Sequence, residues 1–221
     1  ERSKVVELVK ADPAMVRTQG AQISAQHVVV ACNGYLGNLH SDIARRVMPI
    51  NNFIVATEPL DEPAAKALIN GDFAVADSKF VINYFRMSED RRLLFGGGES
   101  YGYRFPRDIA GLVRRRMLQI YPQLGQTRID YAWGGTLAIT VSRMPHFARL
   151  RGNILVAGGY SGHGVALATL AGKLIAQAIA GQAEKFDLMA GVPTPPFVGG
   201  VAMRWPLLVL AMVWFSLRDR L

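Results

Sequence analysis

The chain has 221 residues, 50% of them hydrophobic, which is enough to bury a sizeable core and excludes a disordered polypeptide. Its net charge of +8 raises nucleic acid or an anionic membrane as partners. The basic residues are scattered, however. Arg114-Arg115-Arg116 is the one tight cluster, and neither a basic patch interleaved with aromatics nor a Cys/His zinc spacing is present, so nucleic acid and metal are not expected.

Val5–Val9, Met15–Gln19 and Ala21–Ala25 read as short strands, with turns around Asp12-Pro13 and at Gly20. The β-branched run His27–Ala31 fits a strand buried on both faces of a parallel sheet. It ends in Cys32-Asn33-Gly34, where a turn facing a ligand is expected at the carboxyl end of such a strand. Cys32 is the only cysteine, so no intrachain disulfide forms and it reads as a small buried residue rather than a nucleophile. No signal peptide is visible around Glu1-Arg2-Ser3-Lys4, and the expected compartment is cytoplasmic.

Ile50–Glu58 reads as a further strand and Pro63–Asn70 as a short helix. Phe80–Met87 and Arg92–Gly96 suggest a hairpin about Ser88-Glu89-Asp90-Arg91. Asp108–Tyr121 carries apolar residues at helical spacing up to Pro122, and Arg128–Trp133 returns as a strand into Gly134-Gly135. Strands clustered in the middle suggest an antiparallel domain inserted into a parallel one.

The strand Asn153–Ala157 leads into Gly158-Gly159-Tyr160-Ser161-Gly162-His163-Gly164, and a helical pattern runs from Val165 to a C-cap at Gly181. Such a strand, glycine turn and helix start offers exposed backbone N–H groups at the positive end of a helix dipole. Its spacing is not the G-x-G-x-x-G dinucleotide fingerprint, and a plain tight connection is the other reading. Gly172 inside the helix suggests close packing on a sheet or a cofactor. Val192–Gly200 is a Pro/Gly connector to the apolar segment Trp205–Leu217, which is shorter than the about 20 residues of a membrane span. It reads as a buried or interface helix, and peripheral membrane contact is not expected.

Gly-Tyr-Ser-Gly-His-Gly-Val at 159–165, preceded by Ala157-Gly158, resembles the carboxy-terminal flavin loop of the D-amino-acid oxidase/sarcosine oxidase superfamily. Val29–Tyr35, Tyr84-Phe85-Arg86, Arg91–Gly98, Ile129–Trp133, Lys185–Leu188 and Leu217–Leu221 are collinear with the γ-glutamylputrescine oxidase branch of that family. The resemblance implies a mixed α/β fold: a partial FAD-binding Rossmann-like domain (1–40 and 146–185), an inserted antiparallel-sheet substrate domain (41–145) and a carboxy-terminal connector and helix (186–221). The family's amino-terminal fingerprint and ribose-binding acid are absent, so the chain resembles a carboxy-terminal half whose expected partner is the amino-terminal half. Tight FAD binding by this half alone is not expected.

The resemblance further implies FAD as a non-covalent cofactor, an amine substrate and O2, with an imine/aldehyde and H2O2 as products. Ala31, Asn33 and Gly34 would line one side of the flavin, and Gly158, Gly159, Tyr160, Ser161, Gly162, His163, Gly164 and Val165 the other. Amides from Ser161 to Val165 would stabilise negative charge on the flavin. His163 is an acid/base candidate, or else a structural imidazole locking the loop through hydrogen bonds. The lysine of the sarcosine oxidase branch is replaced by Ala166, and the arginine of the glycine oxidase branch is missing around Thr136. An unpaired carboxylate in a dry pocket costs several kcal/mol, so a substrate whose carboxylate is remote or absent is expected. Arg86 or Arg104 would catch a distant carboxylate unless each is a surface ion pair, and Trp133 and Thr136 complete the expected substrate side. The competing readings are an amino-acid or N-methyl-amino-acid oxidase and a non-catalytic fragment acting as an interaction module.

Overall fold

The computed structural model describes residues 2–79, 81–100, 104–151 and 153–218. In chain order the elements are β1 (Val5–Val9), β2 (Ala14–Thr18), β3 (Gln22–Ala25), β4 (Val28–Val30), α1 (Ser41–Ala44), β5 (Met48–Thr57), α2 (Glu62–Leu68), β6 (Val75–Ala76), β7 (Tyr84–Met87) and β8 (Leu93–Ser100). There follow α3 (Ile109–Ile120), β9 (Ile129–Ile139), β10 (His146–Arg149), β11 (Ile154–Gly158), α4 (Gly164–Ile179), α5 (Glu184–Ala190) and α6 (Gly200–Arg218). The chain divides into two compact units, Glu1–Pro49 with Leu137–Trp205, and Ile50–Thr136 with Pro206–Leu221.

The first unit holds two three-stranded sheets. One is the antiparallel meander β1-β2-β3; the other has the order β10-β11-β4, with β11 antiparallel to β10 and parallel to β4. β11 is wholly buried because α4 lays Ala171, Leu174 and Ile175 against it, while Val30, Ile43 and Ala44 pack on the side of β4. The expectation of a strand at 27–31 buried on both faces needs correction. β4 spans Val28–Val30 only, it is the outer strand of its sheet, and Val29 is 44% exposed. Of the two reasons expected for Gly172, packing on a sheet is not the one seen: it is exposed and a Cβ there meets no protein atom within 4 Å.

The second unit is a five-stranded sheet of order β6-β7-β8-β5-β9, antiparallel at β6/β7, β7/β8 and β8/β5. The expected hairpin is β7 and β8, with Arg91 at φ +61 in its turn; the expected start at Phe80 lies outside the described residues. Phe85 and Phe95 stack across the pair at 5.3 Å, and Val113 and Met117 of α3 close the core over them. Asp108 caps α3 by accepting the Gly111 N–H at 2.7 Å, and the helix stops before Pro122. Gly134-Gly135 does not end a strand as expected. β9 runs through both, because Gly134 lies on Phe53, where a Cβ would come within 2.5 Å of the ring. Four elements carried no clear sequence signal of their own: α1, β6, β10 and α5.

α6 begins in the first unit, where Arg204 is buried and its Nη1 donates to Ala44 O and Val47 O at 2.5 and 2.6 Å. Among the described residues no helix is long and apolar enough to cross a membrane.

Candidate functional site

β4 and β11 are parallel neighbours, so their carboxyl ends open on the same side, where ligands bind in open α/β sheets. The connections leaving them line a small cavity whose walls include Val30, Cys32, Asn33, Val47, His146, Gly158 and Gly159. Asn33 sits at φ +45 and its Oδ1 accepts the Gly159 N–H at 3.1 Å, which ties the two loops together. Burial pushes the Cys32 thiol above its ordinary range, so it stays protonated there.

The glycine loop has an anchoring half and a presenting half. Gly159 has φ +67, and a Cβ on it would lie 2.7 Å from Thr140 Cγ2 and 3.3 Å from Val47 Cγ1, so only glycine fits. Tyr160 is buried in the core beside Phe147 and Leu155, and burial raises its phenol above the ordinary value. Ser161 is 8% exposed and holds φ +51 through a small network. Its N–H donates to Ala138 O at 2.9 Å, its Oγ accepts the Thr140 N–H at 3.2 Å, and that Oγ also reaches Gly159 O at 3.3 Å. Tyr160 and Ser161 are thus turned into the protein, and the expected run of donor amides from Ser161 to Val165 needs correction, because the Ser161 N–H is taken by Ala138 O and the His163 N–H by Tyr160 O, each at 2.9 Å.

From Gly162 onward the loop faces outward. Gly162 has φ +99 with open space where a Cβ would be, and Val165 is 95% exposed. The first helical acceptor is His163 O, taken by the Leu167 N–H at 3.2 Å, so the amides of Gly164, Val165 and Ala166 precede the hydrogen-bonded run of α4. No side chain caps this end and no acidic residue stands in its first turn. Three donors and the dipole are therefore left for an acceptor from elsewhere.

His163 is exposed, and no hydrogen bond of its imidazole is found among the described residues. The expectation that it locks the loop is corrected. That work falls to Asn33, Thr140 and Ser161, of which Thr140 lies twenty-one positions away in sequence and gave no local signal. Ala31 and Gly34 sit with Asn33 on the turn after β4.

On the second unit, Thr136 Oγ1 donates to the buried Asn51 Oδ1 at 2.8 Å, and Trp133 is 45% exposed. Arg86 pairs with Asp72 at 2.6 Å and both are exposed, which matches the surface ion pair rather than a waiting carboxylate site. Arg104 is exposed. One neighbour that the sequence reading missed is Tyr84, whose hydroxyl meets Asn52 Oδ1 while its ring lies on Gly96; a Cβ at Gly96 would clash with that ring.

Residues 1–178 match the family described as FAD dependent oxidoreductase. The chain belongs to that family. It is 44% identical to gamma-glutamylputrescine oxidoreductase of Escherichia coli (strain K12), over 100% of this chain and 52% of that protein. It is 43% identical to probable oxidoreductase OrdL of Rhizobium meliloti (strain 1021), over 100% of this chain and 51% of that one. The chain thus spans about half the length of the curated relatives it matches. The fold is that of solved structures such as iminodiacetate oxidase from Chelativorans sp. BNC1, with a TM-score of 0.67 and 18% identity over 82% of this chain and 50% of that one. L-proline dehydrogenase from P. horikoshii is similar, at a TM-score of 0.62 and 24% identity over 81% and 50%.

The FAD dependent oxidoreductase family calls for a place to hold a flat, electron-rich ring system, and the loop fits it. Gly162 puts no side chain and only open space next to the start of α4, whose amides no side chain caps. A G-x-G-x-x-G phosphate cradle is not found within the 221 residues.

Proposed function

We propose that this chain is the carboxy-terminal half of an FAD-dependent amine oxidase that acts on a primary amine such as γ-glutamylputrescine. The observation that carries the reading is the uncapped, glycine-lined start of α4, fixed from behind by Ser161 and Asn33. FAD, when bound, would supply the redox chemistry, a two-electron oxidation of the carbon beside the amine to an imine, with O2 as the acceptor reduced to H2O2. The amides of Gly164, Val165 and Ala166 would hold the electron-rich edge of the ring, a main-chain role that needs no reorganisation. Binding is non-covalent, with Cys32 kept as a thiol.

The substrate class follows from what the clamp positions lack. Ala166 is exposed beside the loop, and Thr136 is engaged with Asn51, so neither offers a cation to an α-carboxylate. An amine whose carboxylate is remote or missing avoids that penalty. Arg86 is occupied by Asp72, which leaves Arg104 to catch a distant carboxylate. The 44% identity to a gamma-glutamylputrescine oxidoreductase supports the same choice.

The test is flavin absorbance under anaerobic conditions, with the chain joined to the coding sequence upstream of it. Bleaching by γ-glutamylputrescine and not by glycine, sarcosine or a D-amino acid is expected. Bleaching by an amino acid overturns the substrate argument drawn from Ala166 and Thr136.

A further inference from the structure

Behind the glycine loop lies a second layer that the catalytic reading does not use. His146 opens β10 directly opposite Gly158, the last residue of β11, and is 5% exposed. Its Cβ stands 3.5 Å from where a Cβ on Gly159 would be, beside Val47 Cγ1 at 3.3 Å, so His146 and Val47 form the underside of Gly159. Both are held by the carboxy-terminal segment. His146 Nδ1 shares a hydrogen bond of 2.6 Å with Thr194 Oγ1, and Arg204 Nη1 grips the Val47 carbonyl at 2.6 Å. Between these points the Phe197 N–H donates to Arg45 O at 2.8 Å.

We propose that residues 192–204 form a strap that sets the glycine loop, and that His146 is the positioning residue through which Thr194 acts. The inference rests on the loop being the flavin-facing surface argued above. An imidazole anchored at one nitrogen keeps its ring orientation, and the main chain of Gly158 and Gly159 follows, because β10 is paired to it strand to strand. Loss of the anchor lets the ring turn in a cavity that Cys32 and Asn33 also line, so the Asn33–Gly159 tie loosens with it.

The bond also has a protonation signature. Burial first, and the Arg46 guanidinium second, push the His146 imidazole down to about 4. Arg46 has a buried Nη1 without a hydrogen-bond partner. The facing strand β11 and the segment 192–199 carry no charged residue, and the Cys32 thiol in the shared cavity is held protonated by burial. No carboxylate on those elements is present to welcome a second proton. With the folded value below the unfolded one of about 6.5, the contribution is complete above pH 6.5 and is lost as pH falls from there through about 4.

The experiment compares Thr194→Val, Thr194→Ser and His146→Gln with the parent, each joined to the upstream coding sequence. FAD affinity is read at pH 7.5 by flavin fluorescence, and the melting temperature of the cofactor-free protein is read from pH 8 to 4. Thr194→Val is expected to weaken FAD about tenfold, Thr194→Ser to restore it to within about twofold, and His146→Gln to flatten the loss of melting temperature between pH 6.5 and 4. A Thr194→Val protein with the parent's FAD affinity overturns the inference, even if its acid behaviour changes, because the bond then supports stability alone. If the parent takes up no FAD, the reading of the loop fails first and the strap's role falls with it.

Discussion

The glycine loop of the first unit and the charged network of the second are both held in place, by opposite means. The loop is fixed by uncharged side chains bonded to main chain, Asn33 on Gly159 and Ser161 on Thr140, and by one main-chain bond from the Ser161 N–H to Ala138 O. In the second unit Arg92 joins Asp90, Asp130 and the Thr57 carbonyl, Arg128 reaches Asp130 and Glu58, and Arg92 also lies over the Tyr131 ring. The difference teaches where each unit can tolerate charge. A helix start proposed to hold an electron-rich ring by its amides would be weakened by a fixed carboxylate, and α4 has no acid in its first turn. A sheet that only has to hold its strands together can use ion pairs at its rim.

The largest effect is expected at Gly159. Gly159→Val adds β-branching at φ +67 and drives carbon into Thr140 and Val47, so FAD affinity should fall by roughly a hundredfold or the protein should fail to fold, as read by flavin titration and circular dichroism. Ser161→Ala comes next. It leaves the Thr140 N–H buried without its acceptor and should cost about 1–3 kcal/mol in a denaturant melt. An unchanged midpoint would mean that the loop is fixed by something other than this network.

The charged network gives a milder and pH-dependent effect. Hydrogen bonds from Arg128 and then Arg92 hold the Asp130 carboxyl below its ordinary value, so its contribution is present above the usual carboxylate range and is lost as pH falls through the lower folded value. Asp130→Asn should therefore be less stable than the parent at pH 7 and should close that gap on acidification, seen as converging melting temperatures toward pH 3. Smallest in stability but sharp in kinetics is the arginine pair. Arg104→Ala should raise KM for γ-glutamylputrescine about tenfold with kcat nearly kept, whereas loss of the exposed Arg86–Asp72 pair should move stability by no more than about 0.5 kcal/mol.

The parts of the fold written in local pattern were legible. The hairpin about Ser88-Glu89-Asp90-Arg91, the apolar stripe over Asp108–Tyr121, and the glycine-to-helix step at Gly158–Val165 each follow from a few adjacent residues. Pattern misled where a remote neighbour decides. Gly134 and Gly135 read as a break but let β9 pass over Phe53, and Val29 reads as buried although its strand is the outer one of its sheet. The same limit explains the site. The outward amides were visible in the motif, but the side chains that fix it, Thr140 and His146, come from segments with no chemical signature. His163, the one histidine in the motif, drew attention that its exposed position does not repay in contacts.

The most direct test of the main-chain account removes one amide and little else. Val165 has a fully outward side chain and sits in the first turn of α4, where proline is tolerated because its N–H has no helical partner to lose. FAD affinity of Val165→Pro, measured in the chain joined to its upstream coding sequence, should fall about tenfold while the melting temperature of the cofactor-free protein stays within a few degrees. Affinity equal to the parent's, with the helix intact, would contradict the claim that these amides hold the cofactor.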